Sequence, residues 1–121
     1  MSRWDAFIGL RLQGDFIIAQ IEFTDEPIMD ALGRLAAAQT TIIGQRLSLR
    51  LRDGMDAREL SVTLYHEILE AAAVASAHPP ELLLDFNEGD FELAAQKMHG
   101  KLGAATPETL NRMLQLYDFP Q

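Results

Sequence analysis

Thr63-Leu64-Tyr65-His66-Glu67-Ile68-Leu69-Glu70-Ala71 is a stretch whose residue types and spacing suit metal chemistry. A histidine and a carboxylate at i and i+4 can hold one metal ion from a single helix face. A carboxylate directly after the histidine can take a proton from water at that ion. The usual form of the motif is H-E-x-x-H. Here Glu70 stands in place of the second histidine, giving H-E-x-x-E.

The spacing has this meaning only on a helix, and the flanking residues supply one. Asp56 and Glu59 have the spacing of a capping box, and an alanine-rich run to Ala77 continues the helix. At about 100° per residue, Glu59, Thr63, His66 and Glu70 fall on one line, with Glu67 beside them. Leu60, Val62, Leu64, Tyr65, Ile68, Leu69 and Ala72 cover the other side. The next positions on the polar line are Ala73, Val74 and Ala77, so the polar groups are confined to the middle of the helix.

Composition bounds the rest. A chain of 121 residues predicts one domain with one core. Apolar residues make up 48 %, and no run approaches the roughly 18 apolar residues of a membrane span. The first residues lack the pattern of a signal peptide, and cysteine is absent. Disulfides, iron–sulfur clusters and thiolate metal sites are thereby excluded, and the expectation is a cytoplasmic protein. A net charge of −8 argues against nucleic acid and against anionic membranes. From Glu59 to Gln96 there is no Lys or Arg, yet Glu59, Glu67, Glu70, Glu81, Asp85, Glu88, Asp90 and Glu92 are all acidic. Such carboxylates either face water or receive a cation from elsewhere.

The expected fold is α+β: a short, mainly antiparallel sheet on about four helices. Residues 6–12 and 16–23 flank Gln13-Gly14-Asp15 and predict an N-terminal hairpin. Thr24-Asp25-Glu26-Pro27 predicts a helix start, with Ile28, Leu32 and Leu35 as its stripe ending near Gln39. Residues 45–52 alternate Leu47, Leu49 and Leu51 with Arg46, Arg50 and Arg52, a strand whose arginines read as an exposed edge face. After the central helix, Ser76-Ala77-His78-Pro79-Pro80 is a break, and residues 80–84 are a helical turn or an apolar connector. Asn87 caps a helix with Phe91, Ala94, Ala95, Met98 and Leu102 as its buried stripe, ended by Gly100 and Gly103. Thr106-Pro107-Glu108 begins a last helix through Leu110, Met113, Leu114 and Tyr117.

With these elements in order, His66-Glu67-Ile68-Leu69-Glu70-Ala71 and the helix start at Glu88 resemble small zincin-type metallopeptidases, the gluzincin-like or minigluzincin group. In that group a short sheet packs on the active-site helix, and a following helix brings the third ligand. The residues from Glu88 to Met98 are similar to that later helix, and the resemblance spans about half of the chain, from the strand onward. It implies a zincin-like core with His66, Glu70 and Glu88 as metal ligands and Glu67 as general base. It also implies a peptide or protein substrate and a divalent ion: zinc first, with manganese or iron made credible by the harder, more anionic ligand set that Glu70 creates.

Each residue has a plainer reading. His66 can be half-exposed and hydrogen-bonded to Thr63 or Glu70, and Glu67 and Glu70 can be surface carboxylates. Glu88 at a helix N-terminus is explained by the macrodipole alone. Asp90, Glu92 and His99 are alternative third ligands. His78 lies twelve residues after His66 and reads as part of the loop before Pro79. Tyr65 and Trp4 read as core or interface aromatics. Other signatures are missing: Gly9, Gly14 and Gly33 are too scattered for a phosphate loop, and no G-x-S-x-G elbow occurs. Two functions therefore compete, a small metal-dependent hydrolase and a metal-free, non-catalytic zincin-like binding or accessory protein. A homodimer is compatible with either.

Overall fold

The computed structural model describes residues 6–9, 11–30 and 32–119; Trp4 lies outside them. Five strands come first: β1 (Ile17–Thr24), β2 (Ile28–Met29), β3 (Leu35–Ala36), β4 (Ala38–Ile43) and β5 (Arg46–Arg52). Three helices follow, α1 (Ala57–Ala75), α2 (Glu88–Leu102) and α3 (Pro107–Leu116), with a 3-10 turn at Glu81–Leu83 between the first two. The class is α+β, with three helices among the described residues where four were expected.

The sheet differs from the expected antiparallel hairpin-plus-strand. Its order is β1-β5-β4, with β5 parallel to β1 and antiparallel to β4. Strand β5 is therefore central, and its arginines do not mark an edge. They lie on the outer face, where Arg50 meets Glu22 and Glu26 at 3.6 and 3.4 Å and Arg52 meets Glu59 at 3.3 Å. Leu47, Leu49 and Leu51 on the other face are buried, as the alternation requires.

Among the described residues of 6–12, positions 6–9 form turns and Arg11 makes a single bridge with Ile17, rather than a strand. The turn at residues 13–15 is real. The Leu12 N–H donates to Phe16 C=O at 2.7 Å, and Gly14 sits at φ +84°, where a Cβ would come 2.7 Å from the Phe16 ring. Phe7 and Leu12 serve the core instead of a ladder.

The helix expected over residues 24–39 is absent. The helix-start signal is used by a turn: the Thr24 hydroxyl accepts the Glu26 N–H at 3.0 Å. Asp30 then captures the chain, its Oδ1 accepting the N–H of Leu32 at 2.8 Å and of Arg34 at 2.9 Å. Side chain-to-backbone bonds of this kind compete with helix, and Gly33 at φ +77° completes the reversal. What forms is the small β2–β3 hairpin, followed by β4, where Thr40-Thr41-Ile42-Ile43 supplies β-branched residues.

The core lies between the inner sheet face and the helices. Tyr65, Ile68, Leu69 and Ala72 of α1 are fully buried, and Ala95 of α2 and Leu110, Met113 and Leu114 of α3 close the far side. Each buried leucine or isoleucine contributes about 1.5–3 kcal/mol relative to exposure. Tyr65 proves a core residue, its hydroxyl donating to Gly103 C=O at 2.9 Å. Among the described residues, no helix is long and apolar enough to cross a membrane.

Candidate metal centre

Helix α1 presents the motif as its spacing requires. Asp56 Oδ1 accepts the Glu59 N–H at 2.8 Å, but the Glu59 carboxylate pairs with Arg52 instead of closing a capping box. From that start, Thr63, His66, Glu67 and Glu70 lie on the half-buried side of α1 and line a groove of about 610 Å³. Its opposite wall is the β2–β3 hairpin and the start of β4.

Helix α2 completes the cluster. Asn87 and Asp90 form a full capping box at 3.0 and 2.9 Å, so Asp90 is spent on the backbone and is not a ligand. Phe91, Ala94, Ala95 and Met98 dock α2 on the core, which turns Glu88 and Glu92, one turn apart, toward His66. The His66 ring stacks on Phe91 with centroids 6.2 Å apart at 28°.

His66 is the hub. Its Nε2 lies 3.2 Å from Glu88 Oε2 and 3.6 Å from Glu70 Oε2. Its Nδ1 lies 3.0 Å from Glu92 Oε1, and the second oxygen of Glu92 accepts the Gln96 amide at 3.0 Å. Glu92 is thus on the opposite nitrogen from Glu70 and Glu88, orienting the ring rather than sharing its ligating edge. Glu67 Oε1 accepts the Thr40 hydroxyl of β4 at 2.8 Å. His66, Glu67 and Glu70 can each offer an atom with all three within 4.8 Å of one another.

The donor set fits a divalent cation. Bonds of about 2.0–2.2 Å in a tetrahedral site place neighbouring ligand atoms roughly 3.3–3.6 Å apart, close to the separations around Nε2. The carboxylate on Nδ1 is the outer partner that ligating histidines ordinarily have. Without an ion, a proton does the same work. Burial alone would lower the His66 pKa, but bonds to Glu70 and Glu92 and the charges of Glu67 and Glu70 push it up to about 9. Glu88 is pushed up to about 7, first by its bond to Glu70 and then by burial, while Glu70 is held below its ordinary value first by its bond to His66. Burial also raises Glu67, against the opposing bond from Thr40 and the charge of His66.

The remaining histidines are elsewhere. His99 Nδ1 bonds Ser61 Oγ at 2.7 Å at the other end of the α1–α2 contact, so it is not a third ligand. His78 lies in the connector before Pro79, as expected, and its N–H donates to Ser76 Oγ at 3.3 Å. Sequence reasoning missed Thr40 because it placed residues up to 39 in a helix; the β-branched run after Gln39 was the available signal. It also missed Gln96, which the i,i+4 spacing from Glu92 pointed to.

Comparison of the chain with protein-family models, with curated proteins and with solved structures finds no match.

Proposed function

We propose that the chain is a small metal-dependent hydrolase of zincin-like build that acts on peptides. His66, Glu70 and Glu88 hold the ion, and Glu67 is the general base. The observation that carries this reading is the division of labour around one imidazole: Nδ1 faces Glu92, while Nε2 faces Glu70 and Glu88 at ligand-like separations. A bound divalent ion supplies Lewis acidity toward a carbonyl and lowers the pKa of water beside it. Glu67, next to His66 and raised by burial above the ordinary carboxylate value, is suited to accept the proton of the attacking water and to return it to the leaving amine. Thr40 fixes one of its oxygens, leaving the other for that transfer.

The substrate shape follows from β4. The Arg52 N–H bonds Ala37 C=O at 2.9 Å, and the antiparallel ladder alternates from there. The backbone groups of Ala38, Thr40 and Ile42 thus point to the open edge beside the groove. An extended peptide can add there through main-chain hydrogen bonds. One imidazole and two carboxylates favour zinc less strongly than two imidazoles and one carboxylate would, which admits manganese or iron.

Metal content after purification without chelator tests the reading. Stoichiometric metal is expected, lost in His66→Ala, whereas Glu67→Gln retains metal and loses peptide hydrolysis. Equal metal loss in both variants would make Glu67 structural and end the general-base assignment. A second reading, a metal-free accessory protein on the same frame, is favoured by one observation: a protonated His66 already satisfies its carboxylates. A folded protein without metal after zinc or manganese is offered would select it.

A further inference from the structure

Outside the ligand cluster, the groove holds an unexpected group of exposed apolar side chains. Leu32 and Leu35 are each 75 % exposed and Met29 48 %, and all three line the same groove as His66 and Glu70. They are held in place rather than left on a loose loop. Asp30 accepts the N–H groups of Leu32 and Arg34, its second oxygen takes the Arg34 guanidinium at 3.0 Å, and the Asp30 N–H donates to Arg34 C=O at 2.8 Å. That local network leaves the leucines facing outward on a defined hairpin, with the one acid of the hairpin already paired.

Across the groove stand Glu67, Glu70, Glu88 and Glu92 around one imidazole. Even with a divalent ion bound, that wall keeps an excess of negative charge. An occupant must therefore offer apolar surface to the hairpin and no acid to α1 and α2.

We propose that Met29, Leu32 and Leu35 form a specificity wall that selects peptides with a large apolar side chain, and no acidic one, beside the bond held at the His66 cluster. The inference rests on the hydrolase reading only for where that bond lies.

The test measures binding of fluorescent octapeptides, Ala-Ser spacers with Leu, Ser or Asp at one central position, by anisotropy. It uses the full chain as purified and again with added zinc or manganese, and cleavage is followed in parallel by mass spectrometry. The Leu peptide is expected to bind roughly tenfold more tightly than the Ser peptide, and the Asp peptide weakest. The double variant Leu32→Ser/Leu35→Ser should abolish that preference. Leu82→Ser/Leu84→Ser, which changes two equally prominent leucines outside the groove, should alter it by less than about twofold. The wall is overturned if no peptide binds, if the preference survives Leu32→Ser/Leu35→Ser, or if both double variants lose it equally. Preference lost only in Leu32→Ser/Leu35→Ser, with no metal and no cleavage, would uphold the wall and remove the hydrolase reading.

Discussion

Helices α1 and α2 are joined twice through a histidine, and the two joints are built oppositely. At one, His66 of α1 faces Glu88 and Glu92 of α2 as well as its own Glu70, in an open groove. At the other, His99 of α2 meets Ser61 of α1, which is 4 % exposed and also accepts the Ala105 N–H at 2.8 Å. The bonds of the Ser61 joint involve no carboxylate, and each group in it finds a partner; nothing further is needed to explain it than the fastening of α1, α2 and the segment before α3. The His66 joint gathers the carboxylates of Glu70, Glu88 and Glu92, with Glu67 beside them, around one imidazole. On that contrast rests the proposal that the His66 joint, and not the Ser61 joint, is the functional one.

Exchanging the roles of the two histidines should fail, and the failures can be ranked. The largest expected effect is on chemistry: Glu67→Gln should lower peptide hydrolysis roughly 10²–10⁴-fold, as loss of a general base does, while Ser61→Ala leaves the turnover of folded protein unchanged. Next is ion affinity, read by competition with a chelating dye. Glu92→Gln, which keeps the shape but weakens the hold on Nδ1, should cost about 10–100-fold. His99→Ala should leave that affinity untouched. A large loss in His99→Ala would show that the two joints are coupled and break the contrast.

Stability should show the reverse order. Ser61→Ala strands the Ala105 N–H and the His99 ring, and urea unfolding should reveal a loss of about 1–3 kcal/mol. For metal-free protein the pH dependence belongs to the other joint. His66 has a folded-state pKa of about 9 against an ordinary 6.5, so its contribution is full below pH 6.5 and is lost as pH rises through about 9. Glu88, raised from 4.5 to about 7, acts in the same sense at lower pH. The urea midpoint of wild type should therefore fall between pH 6.5 and 9, and His66→Gln should flatten that fall. The smallest effect expected is that of Thr40→Val. Removing the bond that lowers the Glu67 pKa should move the acidic limb of the pH–rate profile to higher pH.

The cluster was legible in proportion to how locally it is encoded. His66, Glu67 and Glu70 share one helix whose cap and apolar face are written in consecutive residues. Glu88 and Glu92 follow from a second capped helix, although only the packing of Phe91 and Ala95 against the core reveals that Glu92 takes Nδ1 rather than joining the ligands. The sheet was less legible, because strand order is a matter of distant pairing. Nothing near residues 17–24 announces that their neighbour is 46–52, or that 38–43 will take the outer position. Residues 24–39 misled for a sharper reason. Thr24, Pro27 and the Ile28-Leu32-Leu35 spacing satisfy the rules of a helix start, but Asp30 binds the amides that a helix would need and Gly33 turns the chain back. Of the residues read as a helical stripe, Ile28 is buried, while Leu32 and Leu35 stand exposed on the hairpin.

Gln13 ties the beginning of the described chain to its end. Its N–H donates to Asn111 Oδ1 at 2.7 Å and its side-chain amide to Phe119 C=O at 3.1 Å, while the Phe16 ring sits edge-on to Phe119. During synthesis those partners emerge 98 and 106 residues after Gln13, and β1 must likewise wait for β5. The residues around Gln13 therefore settle only after residues made much later, and a nascent chain halted before Asn111 would hold Phe7, Leu12 and Phe16 without that closure.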